Sequence, residues 1–196
     1  MSTNVSPASA ELTQSEIADA RDRLEQARDR ACAAMEGLSE AQWNYRPASG
    51  GWTVAGIVEH MVIVQELILG PIAQALAEAP EAPSPGPQEV DAIIKTKVTD
   101  RSRRFQAPEV VHPKGQWKPA ESLERMRANT GRLIQRLETA VGLRRHQVPS
   151  RPMVALTDGA HQTIDGYQIL LLVAGHTDRH TLQILEVKAE AGFPAN

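Results

Sequence analysis

The sequence predicts an all-α fold, a single four-helix bundle with a short extra helix, and three observations lead there. Aromatic residues make up only 4% of the chain while Ala and Leu are plentiful, which favours helices over sheets. Apolar residues recur at helical spacing in four long segments. With 196 residues, 41% hydrophobic and 23% charged, the chain has an ordinary globular balance and enough length for one domain with a sizeable core.

Residues 1–11 are polar and small and read as a flexible N-terminal arm, followed by one domain over 12–191 and a C-terminal tail at 192–196. From Leu12 to about Met35 the positions Leu12, Ile17, Leu24, Ala27, Ala31, Ala34 and Met35 keep a helical period, and Gly37 ends it. "LSEAQWNYRPASGGW" reads as a structured connection broken by Pro47, Gly50 and Gly51. Thr53 is a good N-cap for a second long helix running to about Ala79, which Pro71 should kink or split. "PEAPSPGPQE" is a Pro-rich surface linker, and a weakly patterned short helix follows from about Glu89 to Arg103. "FQAPEVVHPKGQWKP" is irregular, interrupted by prolines and a glycine. Pro119 suits the first turn of a third long helix, with Leu123, Met126, Thr130, Leu133, Ile134 and Leu137 on one face and Gly142 at its end. The connection "RRHQVPSRPMVALTDGAHQTIDG" contains Met153 to Leu156, expected to be extended, and leads to a fourth helix from about Tyr167 to Ala189.

Several function classes are disfavoured by composition. A net charge of −3 implies no general attraction to nucleic acid or anionic lipid, and Arg101-Ser102-Arg103-Arg104 reads as a solvated face. Cys32 is the only cysteine, so no intramolecular disulfide forms; within a helix it reads as a buried thiol rather than a nucleophile. "MSTNVSPASAELTQ" has no basic segment followed by an apolar core, and the longest apolar run, Ile169 to Ala174, is too short to span a bilayer. The expected location is the cytoplasm, with neither nucleic acid nor membrane as partner.

The histidines carry the chemistry. On the fourth helix, Ile169, Leu172, Val173, His176, His180 and Gln183 share one face, so two imidazoles project together one turn apart from an apolar stripe. Buried imidazoles need partners, and a shared metal satisfies both. His60, on a stripe with Ile57, Val64 and Leu67, is the third candidate, and Gly56 one turn earlier removes bulk where a helix or ligand would approach. Three imidazoles leave open coordination positions, as a catalytic rather than a structural site does. The competing reading is a hydrogen-bonded histidine network in a core. The spacing is not that of a metalloprotease, since "HTDRH" has Thr177 where that motif carries its glutamate. His112 and His146 are expected to be solvated, His161 is a candidate for a pocket mouth, and Trp43, Trp52 and Trp117 read as packing anchors.

"LSEAQWNYRPASGGWTVAGIVEHMVIV" followed by "GHTDRHTLQI" resembles the DinB-like superfamily, including its YfiT-type metal-dependent hydrolases, over most of the chain from Leu12 to Val187. The specific parts are the Trp52-to-His60 spacing with its "EH" pair and the H-x-x-R-H-x-x-Q-I run. The resemblance implies an up-down-down-up bundle with one long crossover, often a homodimer. It also implies that His60, His176 and His180 hold a divalent metal, commonly zinc or nickel, with others such as manganese or iron reported. The superfamily includes transferases and isomerases that use a low-molecular-weight thiol, and nothing in the sequence separates transferase from hydrolase.

An open metal position would accept water or a thiol and lower its pKa. No general base stands out. Glu59 points about 100° away from His60 on an ideal helix and reads as a support or surface residue. Gln183 lies on the ligand face, in reach of a substrate or water. Arg179, at its margin, is a candidate for a substrate carboxylate or, more simply, a salt bridge, and Asp178 reads as structural. Missing a base, the sequence leans slightly to thiol activation. A small-molecule substrate is expected, with two alternatives: a non-catalytic ligand-binding module, and a structural bundle without metal.

Overall fold

The computed structural model describes residues 11–48, 50–78 and 86–195. The N-terminal arm, apart from Glu11, and most of the Pro-rich linker lie outside the described residues, as do Ala79 and Asn196. Helix α1 spans Gln14–Met35 and opens on a capping box, Thr13 Oγ1 accepting from the Glu16 N–H while the Glu16 side chain accepts from the Thr13 N–H. Within the first connection the structure adds a one-turn helix, α2, Glu40–Trp43, capped the same way by Ser39 and Gln42. Helix α3, Val54–Leu67, starts at Thr53 as expected, then widens into a π-helical turn, Ile68–Ile72, and closes as α4, Ala73–Ala77. Pro71 falls inside the π turn, where the backbone absorbs the N–H that proline lacks. Taken as one rod, Val54–Ala77 is long and apolar enough to cross a membrane by length and composition. Its Val54, Ile57, Val58, Met61 and Val62 are core residues, which accounts for that composition.

Helix α5, Gln88–Lys97, is shorter than expected, because Asp100 accepts from the Ser102 N–H and starts an irregular segment. A 3₁₀ turn, Glu109–Val111, leads to α6, Pro119–Thr139. Then come β1 (Gln147–Pro149), α7 (Arg151–Leu156), β2 (Thr163–Asp165) and α8 (Gly166–Lys188). The expectation of an extended Met153–Leu156 is corrected: it is helical because Ser150 caps the Met153 N–H and Pro152 sits in the first turn. Antiparallel pairing of β1 with β2, Val148 opposite Ile164, closes the loop around it.

Contacts at the helix ends fix the topology. Tyr167 Oη bonds the Glu16 carbonyl at 3.3 Å and Lys188 Nζ bonds the Ala34 carbonyl at 2.7 Å, so α1 and α8 run parallel. The start of α3 and Met126 of α6 share an apolar cluster with Ile184 and Val187, the end of α8, whereas Leu133 and Leu137 join Ile169 and Leu170, its beginning. Helices α3 and α6 therefore both run against α1 and α8, an up-down-down-up bundle whose long crossover joins α4 to α6.

At the end where α1 and α8 begin, Arg144 is 3% exposed and bridges Glu16, Asp91 and Asp165, tying α1, α5 of the crossover and the start of α8 together. At the other end Phe193 stacks edge-on against Tyr45 at 5.4 Å and the Pro194 carbonyl accepts from Gln42, so the last residues dock on α2. Cys32 is partly exposed rather than buried.

Candidate metal centre

Helices α3 and α8 bring His60, His176 and His180 together. One ligand nitrogen from each lies within 4.8 Å of the others. His176 Nε2 is 3.2 Å from His60 Nε2 and 3.1 Å from His180 Nε2. Two nitrogens about 2.0–2.1 Å from a shared ion are about 3.3 Å apart in a tetrahedral set and about 2.9 Å in an octahedral one, so the observed separations fit shared coordination.

The partners on the far side of each ring decide the tautomers. His60 Nδ1 lies 2.7 Å from the Val111 carbonyl oxygen, which can only accept, so Nδ1 carries the proton. His180 Nδ1 faces Gln183 Oε1 at 2.8 Å, with the same consequence. Both rings thus turn an Nε2 lone pair toward His176 Nε2, whose single nitrogen has at most one proton to share between them. Such a set is short of donors, and a cation shared by the three nitrogens would satisfy it. Burial pushes His60 below the usual histidine range, helped by His112 opposite, pushes His176 well below it, and pushes His180 to about 3. The imidazoles are therefore neutral at physiological pH, the form that ligates.

Trp52 covers one side of the centre, its ring 4.7 Å from that of His60, and His112 meets Trp52 edge-on at 5.7 Å. His112 is not freely solvated as expected: it is partly buried and bonded to the Ala107 carbonyl at 2.9 Å. Trp52 therefore packs against a candidate ligand rather than merely anchoring a loop. Gly56 lies against the crossover: a Cβ there would sit 3.4 Å from Pro113 Cγ, in ordinary van der Waals contact.

The remaining candidates are placed elsewhere. Gln183 supports His180 as described. Glu59 is buried, and its two oxygens accept from backbone N–H groups of the crossover, so it is not a free base at the centre. Among the described residues Arg179 forms no salt bridge; it donates to the carbonyls of Val98, Asp100 and Arg103, binding the irregular segment to α8. Asp178 forms a two-pronged salt bridge with Arg30 of α1, a structural role. Arg101 and Arg103 pair with Glu186 and Asp158. His161 lines a surface groove with Lys97, Arg103 and Phe105 that includes none of the three candidate ligand histidines. The sequence missed the Val111 carbonyl, since a backbone acceptor leaves no trace in residue type.

The model of the DinB superfamily matches residues 23–184. The chain belongs to that superfamily. Its fold matches that of YfiT from Bacillus subtilis, a probable metal-dependent hydrolase with an unusual four-helix bundle topology, with a TM-score of 0.60 and 18% identity. The match covers 93% of this chain and 91% of that one. No curated protein matches the chain.

Proposed function

We propose that the protein is a metal-dependent enzyme in which His60, His176 and His180 hold a divalent ion, zinc or nickel first and manganese or iron next, for the activation of a nucleophile. The convergence of three Nε2 atoms, two with their Nδ1 protons directed outward, carries this reading. When bound, the ion supplies Lewis acidity that lowers the pKa of a water or thiol ligand toward neutrality.

The chain's own residues do the rest. His60 and His180 are held by Val111 and Gln183, so neither ring must turn to bind. Trp52 excludes water from one side of His60. Glu59 and Arg179, the two charged residues nearest the ligands in sequence, are both consumed by backbone groups. With no acid or base free among them, a low-molecular-weight thiol, which ionises more readily than water, is the nucleophile favoured here. In that reaction the thiol loses its proton, a sulfur–carbon bond forms on a small electrophilic substrate, and the leaving group departs with the electron pair. A hydrolase is the second reading, favoured by the description of the YfiT structure. The proposal includes a cytoplasmic location and a homodimer.

Metal-loaded protein incubated with glutathione, mycothiol or bacillithiol and a general electrophile tests the reading. Thiol-dependent turnover that vanishes with His176→Ala supports transfer. Ester hydrolysis without thiol, equally lost in the variant, favours the hydrolase, and metal binding without either reaction leaves a binding module.

A further inference from the structure

Adjacent residues of α3 hold the crossover by opposite polarity. The Glu59 carboxylate, 3% exposed, accepts from three consecutive backbone N–H groups: Lys114 at 3.0 Å, Gly115 at 2.8 Å and Gln116 at 3.0 Å. Gly115, at φ 71°, turns the chain so that these groups point inward as an anion-binding nest. His60, the next residue, donates Nδ1–H to the Val111 carbonyl of the same crossover. Only His112 and Pro113 separate Val111 from Lys114, and both are fixed, His112 by its bond to Ala107 and Pro113 by its ring and by its seat against Gly56.

We propose that Glu59 is a positioning residue for the metal centre: by seating residues 114–116 it holds the Val111 carbonyl on His60 Nδ1, which commits His60 to the tautomer that presents Nε2 to His176. The inference rests on the metal reading above. It makes ion binding and order in the crossover mutually reinforcing, since each favours the same His60 tautomer. A loop anchor with no such role would affect stability alone.

Glu59→Gln is the informative change, because its amide nitrogen cannot accept and would face a backbone N–H. Zinc affinity is measured by competition with a chromophoric chelator, for wild type, Glu59→Gln and Glu59→Asp. Backbone hydrogen exchange at residues 111–116 is followed in wild type, chelated and zinc-loaded. The expected results are zinc affinity about 10- to 100-fold weaker in Glu59→Gln, partial recovery in Glu59→Asp, and slower exchange at 114–116 when zinc binds. Unchanged zinc affinity in folded Glu59→Gln overturns the inference and leaves the metal centre intact. If Glu59→Gln does not fold, the exchange result decides: protection gained with zinc supports the coupling and unchanged exchange refutes it. Wild type that binds no zinc, nickel or manganese sinks the metal reading and this inference with it.

Discussion

His176 and His180 sit one helical turn apart with their Nε2 atoms 3.1 Å from each other. Neighbours on a helix usually diverge into solvent or interdigitate with other side chains. Here both rings turn inward to the same point and meet His60 from α3. Removing the central ring should therefore abolish binding instead of weakening it. Elemental analysis of protein purified without an affinity tag is expected to find close to one divalent ion per chain in wild type and almost none in His176→Ala. Equal metal content in the two would mean that the histidines are only a polar cluster.

Gln183 offers a subtler test, because it touches no candidate ion. Its Oε1 accepts from His180 Nδ1 at 2.8 Å, and Gln183→Leu leaves that N–H without a partner and the ring free to change tautomer. Metal affinity should fall about 10- to 100-fold, as is usual when the group behind a ligand is lost. Gln183→Glu, which keeps the acceptor and adds charge, should bind at least as tightly as wild type. Calorimetric titration with zinc compares the three.

Both of these positions were readable from the sequence. The face shared by His176, His180 and Gln183 follows from helical spacing alone, and the stripe around His60 is equally local. Four long helices were legible for the same reason, each with an apolar stripe and three of them with a recognisable start or stop signal. What escaped is what non-local contacts decide. The extended reading of Met153–Leu156 failed because it passed over the Ser150 cap, Pro152 in the first turn and three good helix formers, with the strands pairing on either side instead. Glu59 was read as a support or surface residue and Arg179 as a substrate contact or salt bridge, yet their partners are N–H groups and carbonyls of a crossover whose path the sequence does not specify. Arg144, which nothing in its connection singled out, is the buried centre of an ion network.

Acid should destabilise the metal-free chain by way of the triad. Burial holds the three histidines below the ordinary value of about 6.5, His180 at about 3. Between those limits the unfolded chain binds protons that the folded chain refuses, so stability is fully present above about pH 6.5 and is lost as pH falls. Each such histidine adds a slope of at most about 1.4 kcal/mol per pH unit. Urea melts of chelated protein at pH 7.5, 6.0 and 5.0 should show midpoints that fall with pH. A shallower fall in His180→Ala is expected, and an identical fall would assign the effect to other groups.

Arg144 is where a single change should cost the most stability without touching the metal. Its guanidinium, over the Tyr167 ring at 4.2 Å, is the counter-charge for Glu16, Asp91 and Asp165, and Asp165 is itself fully buried. Burial raises the Asp165 carboxyl above the usual aspartate range even with Arg144 present. Arg144→Met keeps the bulk but leaves the carboxylates facing one another with no cation, a loss of about 3–5 kcal/mol by analogy with other broken buried ion pairs. Arg144→Lys restores the charge but not the planar fork that reaches three partners, so it should fall between. Because the network joins the opening turns of α1 and α8 to α5, whereas His176 and His180 lie further along α8, zinc affinity of folded Arg144→Met should match wild type. A large fall in the denaturation midpoint with unchanged zinc affinity is the expected pair of results. A drop in both would mean that the network reaches the metal centre through α8.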